Sequence, residues 1–567
     1  MKIESEMTAR TNAEAGKARS RFFIGTPPSP VMYALALLGL LVAVSATKVI
    51  DPDLWWHLSS GWAISQMQFI PKTDIFSYTA FGAPWLNNEW LFQVVAWLMY
   101  EHGGIGAITL LKFLLTASLA GVVFRTTRFL SGSPSIALWA TAFMLVAASL
   151  RIMERPFLAA LVLLGLFCHV LHRYAQGGGR LIWALPLIQV LWINVHGSGL
   201  QGPALACAFA AGETLLARIQ AGWGGPEPIP AERRRRLWIA GFGCLAACTI
   251  NPWGIDTLLF PFELIHMPAI LDFTHEWIGF LHPWFDDVIP THLMLASAFI
   301  TLASFAANRG RARLSHLFLV AFMTSVLMRS ARFGPDFMVV AIPIACANLA
   351  SAFKGRFSTK PNGYRAAWIG LAAMTALSCL AAARGVTVTL GGGKLLEKGI
   401  GTLAEAAPTR MVDFLEANEI HGRVFNEMGL GGYLIFRRWP GERVFIDGRT
   451  PVYGDRFYEE FVDAFRTGRN FEKIERERRF DYMVFSGKDV WDQRYFHKYL
   501  WERPDWKLVY MAHDGIVYLR DTPKFRNKIE KLALETNPLM EMIRKDEEKN
   551  REKKMMSPPA SAPSGTP

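Results

Sequence analysis

Asp51-Pro52-Asp53-Leu54-Trp55-Trp56-His57 stands where the first long apolar run of the chain ends. Two carboxylates at a bilayer surface can share a proton, hold a divalent cation, or leave one of them as a base with a tuned pKa. The same letters also fit a structural role, because an Asp ahead of a helix caps it and tandem tryptophans suit the membrane interface. Spacing alone leaves both open. Glu89, Arg151, Glu154, Asn194, His196, Asn251, His275, Glu276, Arg329 and Arg332 stand at alternate junctions of the later apolar runs, whereas Lys/Arg clusters occupy the other junctions. That segregation predicts one face built for topology and one for chemistry.

The elements that must position these residues are apolar helices. The chain has 567 residues, 51% hydrophobic and 19% charged, too apolar for an ordinary soluble protein of that size. A membrane span needs roughly 20 apolar residues. Eleven candidates follow: 31–50, 105–124, 134–150, 156–171, 181–195, 200–216, 237–250, 292–307, 314–328, 335–352 and 366–383. Basic residues in the polar leader, 1–30, place the N-terminus in the cytoplasm; the rival reading is a signal peptide cleaved near Val44-Ser45-Ala46. Every inside turn is then basic, and Asp51 to Gly104 form the first extracytoplasmic loop. Lys112 and Glu213 are exceptions, charged residues within apolar runs.

The formal charge of +12 lies in short clusters between the apolar runs, where it sets orientation and meets anionic lipid. No stacking platform or groove-reading motif accompanies it, which argues against nucleic acid. All six cysteines lie inside apolar runs and offer no disulfide framework. Cys244 and Cys248 lack the further ligands of a zinc site, and His275-Glu276 lacks the second histidine of a zinc-protease helix.

From about residue 385 the pattern changes. Helix-like 409–418 precedes strand-like 423–426, a glycine turn at Gly429, Gly431 and Gly432, and a second strand-like piece, 443–447. Helical patterns at 456–465 and 471–479 lead to a strand at 481–485 and a closing hairpin of 506–511 with 515–519. This predicts a small extracytoplasmic α/β domain, 385–521, then a charged helix and disordered tail, 522–567. Within it, Gly431-Gly432-Tyr433-Leu434 and Phe445-Ile446-Asp447-Gly448-Arg449 suit a strand leading into a turn, with Asp447 and Arg449 paired.

The run from Asp51 through Trp56, Gly61, Ile70-Pro71-Lys72-Thr73-Asp74-Ile75-Phe76-Ser77 and Asn88-Glu89-Trp90-Leu91 resembles the first extracytoplasmic loop of polytopic GT-C glycosyltransferases. It is most similar to bacterial membrane proteins related to the dolichyl-phosphate-mannose protein mannosyltransferase group. The resemblance covers roughly residues 31–350. It implies a GT-C-like transmembrane bundle over 31–384 in the bacterial inner membrane, mainly α and of about eleven spans. The implied reaction moves a sugar, with inversion, from a polyprenyl-phosphate donor to an extracytoplasmic glycan, lipid-linked glycan or protein. Asp53 becomes the candidate base and Asp51 its partner, although Pro52 interrupts the family's paired-acid pattern. Glu154 stands about where relatives place a second acid; a salt bridge to a neighbouring Arg explains it equally.

In such a site a carboxylate faces the acceptor hydroxyl while cations face the departing phosphate. Arg329 and Arg332 supply guanidinium forks, with Arg151 and Arg155 as further candidates, against simple snorkelling to headgroups. His57, Glu89 and His196 complete the substrate-binding set; for Trp192-Ile193-Asn194-Val195-His196-Gly197 a capped helix end is the alternative. A divalent cation, Mg or Mn, is compatible with the acids and required by nothing in the sequence. Two other classes remain: a polysaccharide polymerase or ligase, less dependent on the first-loop acids, and a non-catalytic transporter or assembly factor, expected to carry ionisable residues near the bilayer midplane.

Overall fold

A computed structural model describes residues 30–223, 226–273, 277, 289–353, 380, 384, 387–389, 395–467, 470–488, 493–545 and 548. The leader to residue 29, His275, Glu276, Cys379, nearly all of the eleventh predicted span and the tail from 549 lie outside the described residues. In chain order the first helices are α1 (Pro30–Ser45), α2 (Asp53–Met67), α3 (Trp90–Ser131), α4 (Pro134–Ala147), α5 (Pro156–Ala175), α6 (Ala184–Val195), α7 (Gln201–Trp223) and α8 (Ala231–Ala247). There follow α9 (Asp256–Ile265), α10 (Pro268–Phe273), α11 (Ile289–Ala307), α12 (Leu314–Arg329) and α13 (Gly334–Ala352), then β1 (Thr387–Thr389) and β2 (Leu395–Glu397). The remainder is α14 (Thr409–Ala417), β3 (Val424–Asn426), α15 (Met428–Arg438), α16 (Asp455–Thr467), α17 (Phe471–Arg478), β4 (Tyr482–Phe485), α18 (Arg494–Glu502), β5 (Trp506–Ala512), β6 (Gly515–Arg520) and α19 (Arg526–Leu532).

Two compact units result, one from residues up to 49, 88–259 and 275–401, the other from 50–87, 260–274 and 402 onward. The first unit is helical apart from the β1–β2 pair. Helices α3, α5 and α11, together with 331–352, are long and apolar enough to cross a membrane. All of the predicted spans within the described residues coincide with helices; their count as spans is a separate matter, because several are shorter. Helix α3 would reach about 63 Å if straight, twice a ~30 Å hydrocarbon layer. Gly104, at φ 56°, breaks it, at the point where the sequence pattern turned from loop to span. Gly132 ends α3 in the left-handed region, and Ser133 then caps α4 by accepting from the Ile136 N–H, with Pro134 in the first turn.

Lys112 and Glu213, charges within apolar runs, are both neutralised. Lys112 of α3 lies 2.5 Å from Glu154, each almost fully buried, and donates to the Thr47 carbonyl and hydroxyl at 2.8 Å. Glu213 of α7 accepts from the Ser315 hydroxyl at 2.6 Å and the Ile229 N–H at 3.1 Å, with Arg313 at 3.4 Å. Gly212 beside it leaves room for the α12 backbone: a Cβ there would lie 2.4 Å from the Ser315 Cα.

The second unit has a four-stranded sheet in the order β3-β4-β6-β5, parallel between β3 and β4 and otherwise antiparallel. Strands β3 and β4 are buried along their whole length, as apolar strands covered on both faces must be. Phe425, Phe445, Phe461, Phe471, Phe480 and Phe485 form the centre of its core. The 51–87 stretch belongs to this unit and not to the helical one. Tyr78 donates its hydroxyl to the Val424 carbonyl at 2.8 Å, and Ser77 pairs with Val444.

Two local expectations are corrected. The glycines 429, 431 and 432 are no turn but lie within helix α15, and 443–447 does not join the sheet; it makes an isolated bridge to Ser77. Both follow from packing. A Cβ on Gly432 would lie 2.6 Å from the Pro52 carbonyl oxygen, and one on Gly431 would lie 2.1 Å from that of Ile446. Helix α15 thus needs the glycines to reach the start of α2, where Trp55 packs edge-on against Tyr433 at 5.0 Å.

Asp447 and Arg449 do pair. Arg449 donates to Asp447 through Nε at 2.8 Å and Nη2 at 2.6 Å, reaches Asp74 at 2.7 Å, and lies over the Phe76 and Trp85 rings at 4.9 and 4.6 Å. Tyr453 donates to Asp447 at 2.7 Å. Burial alone would raise the Asp447 carboxyl, but the Arg449 charge and these hydrogen bonds outweigh it and hold the group below its usual range. Removing one member of a buried pair costs about 3–5 kcal/mol. Arg449→Met is therefore expected to lower the stability of the second unit by that order, read as faster hydrogen exchange across β3–β6. A second expectation concerns His497, buried against Phe485 and Tyr518, where desolvation pushes its pKa down to about 4. The unfolded chain protonates first as pH falls, so stability should drop between about pH 6.5 and 4. His497→Phe should flatten that part of a thermal-melting pH series.

Candidate functional site

In the helical unit, three of the expected residues join one chain of contacts. Arg151, in the turn after α4, lies over the Phe157 ring at 4.9 Å, and Phe157 meets the His196 ring edge-on at 5.8 Å. His196 Nδ1 accepts from the Ser198 N–H at 3.0 Å, which makes it the acceptor nitrogen and directs the Nε2 side of the ring toward Glu89 Oε1, 3.6 Å away. Asn88 comes close because residue 197 is glycine; a Cβ there would lie 2.8 Å from the Asn88 amide. Trp90 donates to Asn194 at 2.8 Å, fixing the start of α3 against the end of α6. An open, mostly apolar groove of about 630 Å³ lies there, lined by Trp90, Leu187, Leu191, Asn194, Ile250 and Pro252.

Arg332 holds its guanidinium 4.4 Å from the centre of the Trp277 ring. Asp336, in the first turn of α13, is 1% exposed. Gln201, from the first turn of α7, donates to Asp336 Oδ1 at 3.2 Å. Neither Asp336 nor Gln201 was among the sequence candidates. A signal existed: Asp336 is an acid inside an apolar run, and ionisable groups in such runs are functional candidates by default.

Arg329 is exposed at the end of α12, and Arg155 is half-buried immediately ahead of Pro156. Glu154 pairs with Lys112 of α3.

In the second unit, the two acids differ. Asp51 is buried, and its Oδ1 accepts from the Asp53 N–H at 3.1 Å, so it caps the start of α2. Asp53 is half-buried, and its Oδ1 accepts from the Trp56 indole at 3.1 Å. A Cβ on Gly448 would lie 2.2 Å from that oxygen. The Asp447-Gly448-Arg449 turn thus forms one wall against Asp53. His57 is buried with its ring 3.7 Å from that of Trp56. Among the described residues no group of three or more His, Cys, Asp or Glu side chains could hold a metal ion.

The Lys112–Glu154 pair yields a stability test. Lys112→Met should be strongly destabilising, by about 3–5 kcal/mol, because it leaves a carboxylate buried without its cation, and Lys112→Met/Glu154→Gln should recover most of the loss. Thermal unfolding in detergent measures both.

No protein-family model matches the sequence, and no curated protein matches it. Among solved structures, the chain is similar to the archaeal oligosaccharyltransferase AglB from Archaeoglobus fulgidus in complex with an inhibitory peptide and a dolichol-phosphate. That similarity has 11% identity and a TM-score of 0.48, over 87% of this chain and 75% of that one. It is also similar to ArnT from Cupriavidus metallidurans bound to undecaprenyl phosphate, at 14% identity and a TM-score of 0.45, over 86% of this chain and 97% of that one.

Proposed function

We propose that this chain is a polytopic membrane glycosyltransferase of the bacterial inner membrane. It moves a sugar from a polyprenyl-phosphate donor to an extracytoplasmic glycan, lipid-linked glycan or protein. The observation that carries the reading is the set Arg151, His196 and Glu89, joined through Phe157 within an apolar helical unit. Placing guanidinium groups in such surroundings is costly unless they meet a counter-charge or an anionic ligand. A lipid phosphate is the ligand a membrane supplies. The apolar groove beside Trp90 and Asn194 suits the polyprenyl chain.

Asp53 is assigned as the base that takes the acceptor's proton during a single inverting displacement. Asp51 is occupied with the start of α2, which favours Asp53 between the two. His57 and Trp56 frame it. Glu154, neutralised by Lys112, is assigned to holding the turn that carries Arg151 and Arg155 and not to proton transfer. Glu89 and His196 are assigned to hydroxyl groups of the sugar, and Arg329 to lipid headgroups. Two carboxylates together with the donor's phosphate oxygens are a donor set that Mg²⁺ or Mn²⁺ accepts; transfer assays with and without EDTA read whether one takes part.

Asp53→Asn should abolish transfer of radiolabelled sugar from lipid-linked donor, by about 10²-fold or more, with protein yield unchanged. Gly448→Ala should reduce it too, because the added methyl displaces the Asp53 carboxylate. Full transfer by both variants would leave Asp53 without a catalytic role and favour a ligase or a non-catalytic assembly factor.

A further inference from the structure

Helix α9 has two faces of different character. Ile255, the residue just ahead of it, falls in line with Leu259 and Phe262 at i, i+4 and i+7, and Ile265 stands beside them. These four are 56%, 48%, 64% and 51% exposed. The opposite side is occupied: Thr257 is buried, and Leu264 and Met267 pack against the aromatic core of the second unit. Asp256 and Glu263, both exposed, run along one edge of the open face. Scattered apolar residues at a surface are ordinary, but four aligned along one helix mark a face made to be covered.

The start of α9 is tied to a membrane helix. Helix α8 carries the predicted span 237–250, and Asn251 closes the corner after it. Its amide donates to the Cys248 carbonyl at 2.7 Å, while its Oδ1 accepts from the Trp253 N–H and the Thr257 hydroxyl, both at 2.8 Å. Gly254, at φ 59°, supplies the left-handed residue of that turn. Only residues 248–255 separate the two helices, so α9 starts at the surface from which the span emerges. Its far end runs on into α10, whose Ala269 and Ile270 lie in the core of the second unit and whose Ile270 N–H donates to Asp455 at 3.0 Å.

We propose that α9 is an interfacial helix whose Ile255, Leu259 and Phe262 face is sunk among lipid acyl chains at the bilayer surface, mooring the second unit to the membrane through α10. The occupant is zwitterionic lipid. Asp256 and Glu263 on the edge of the face repel anionic headgroups, so the insertion is apolar and indifferent to salt. This placement needs α8 as a span and none of the catalytic assignments.

The test uses the unaltered full-length protein in phosphatidylcholine vesicles that contain a trace of the same lipid with a photoreactive diazirine, either near the glycerol end of one acyl chain or at mid-chain. Adducts are mapped by mass spectrometry. The shallow probe should mark Ile255, Leu259 and Phe262 with equal yield at low and high salt, while a carbodiimide added from water modifies Glu263. Phe242 of α8, 60% exposed, should take the mid-chain probe in the same vesicles. If Phe242 is marked and α9 is not, the interfacial helix is overturned; if neither is marked, the span on which it stands falls with it. Cross-links from these residues to a second copy of the chain, or a yield that drops at high salt, also overturn it. Phe262→Glu should lower the shallow-probe yield at Ile255 and Leu259 by about tenfold, and an unchanged yield in that variant counts against the proposal.

Discussion

The placement of Asp53 depends on one buried cation. Arg449 is clamped by Asp447 and Asp74 and sandwiched by Phe76 and Trp85, so a loop near the start of the chain and a turn near its end are fixed by the same guanidinium. Gly448, between the two paired residues, is held against the Asp53 carboxylate and the Trp56 indole. Geometry at Asp53 is therefore inherited from an ion pair that touches no substrate. Arginine suits this position better than lysine, because a planar fork can satisfy two carboxylates while its faces stack on aromatic rings.

The helical unit follows a related rule with a different outcome. Lys112 with Glu154, and Glu213 with Arg313 and Ser315, are closed arrangements in which each charge has a partner of opposite sign or a hydrogen bond. Such balanced pairs set the register of helices within an apolar unit.

The helices were legible because apolar runs of span length, punctuated by basic clusters and by prolines at 134, 156 and 335, leave few alternatives. The Gly104 break and the hairpin of β5 with β6 were equally visible, from a change of pattern and from alternation about a two-residue loop. Helix α15 was not. Three glycines in four positions lower helix propensity, and only contact with Pro52 and Ile446 explains why they are tolerated. The 443–447 stretch has strand composition but bonds to a partner far earlier in the chain; Thr79 and Phe445 are 366 residues apart. Asp336 carried a signal, an acid inside an apolar run, which its ordinary place in the first turn of a helix masked.

The unit that holds Asp53 is stitched from three separated stretches of chain, and this bears on how the protein is born. Roughly 360 residues separate Asn87 from Arg449, which at ~5–20 residues per second is about 20–70 s of translation. During that interval Asp74 has emerged without its arginine, and Trp55 without the glycine-rich helix that covers it. The early loop must wait, unsatisfied, while the helices between are inserted. A ribosome stalled after the last helical span would leave behind a membrane-embedded chain with an unfinished, sticky aromatic loop, a natural mark for quality-control proteases.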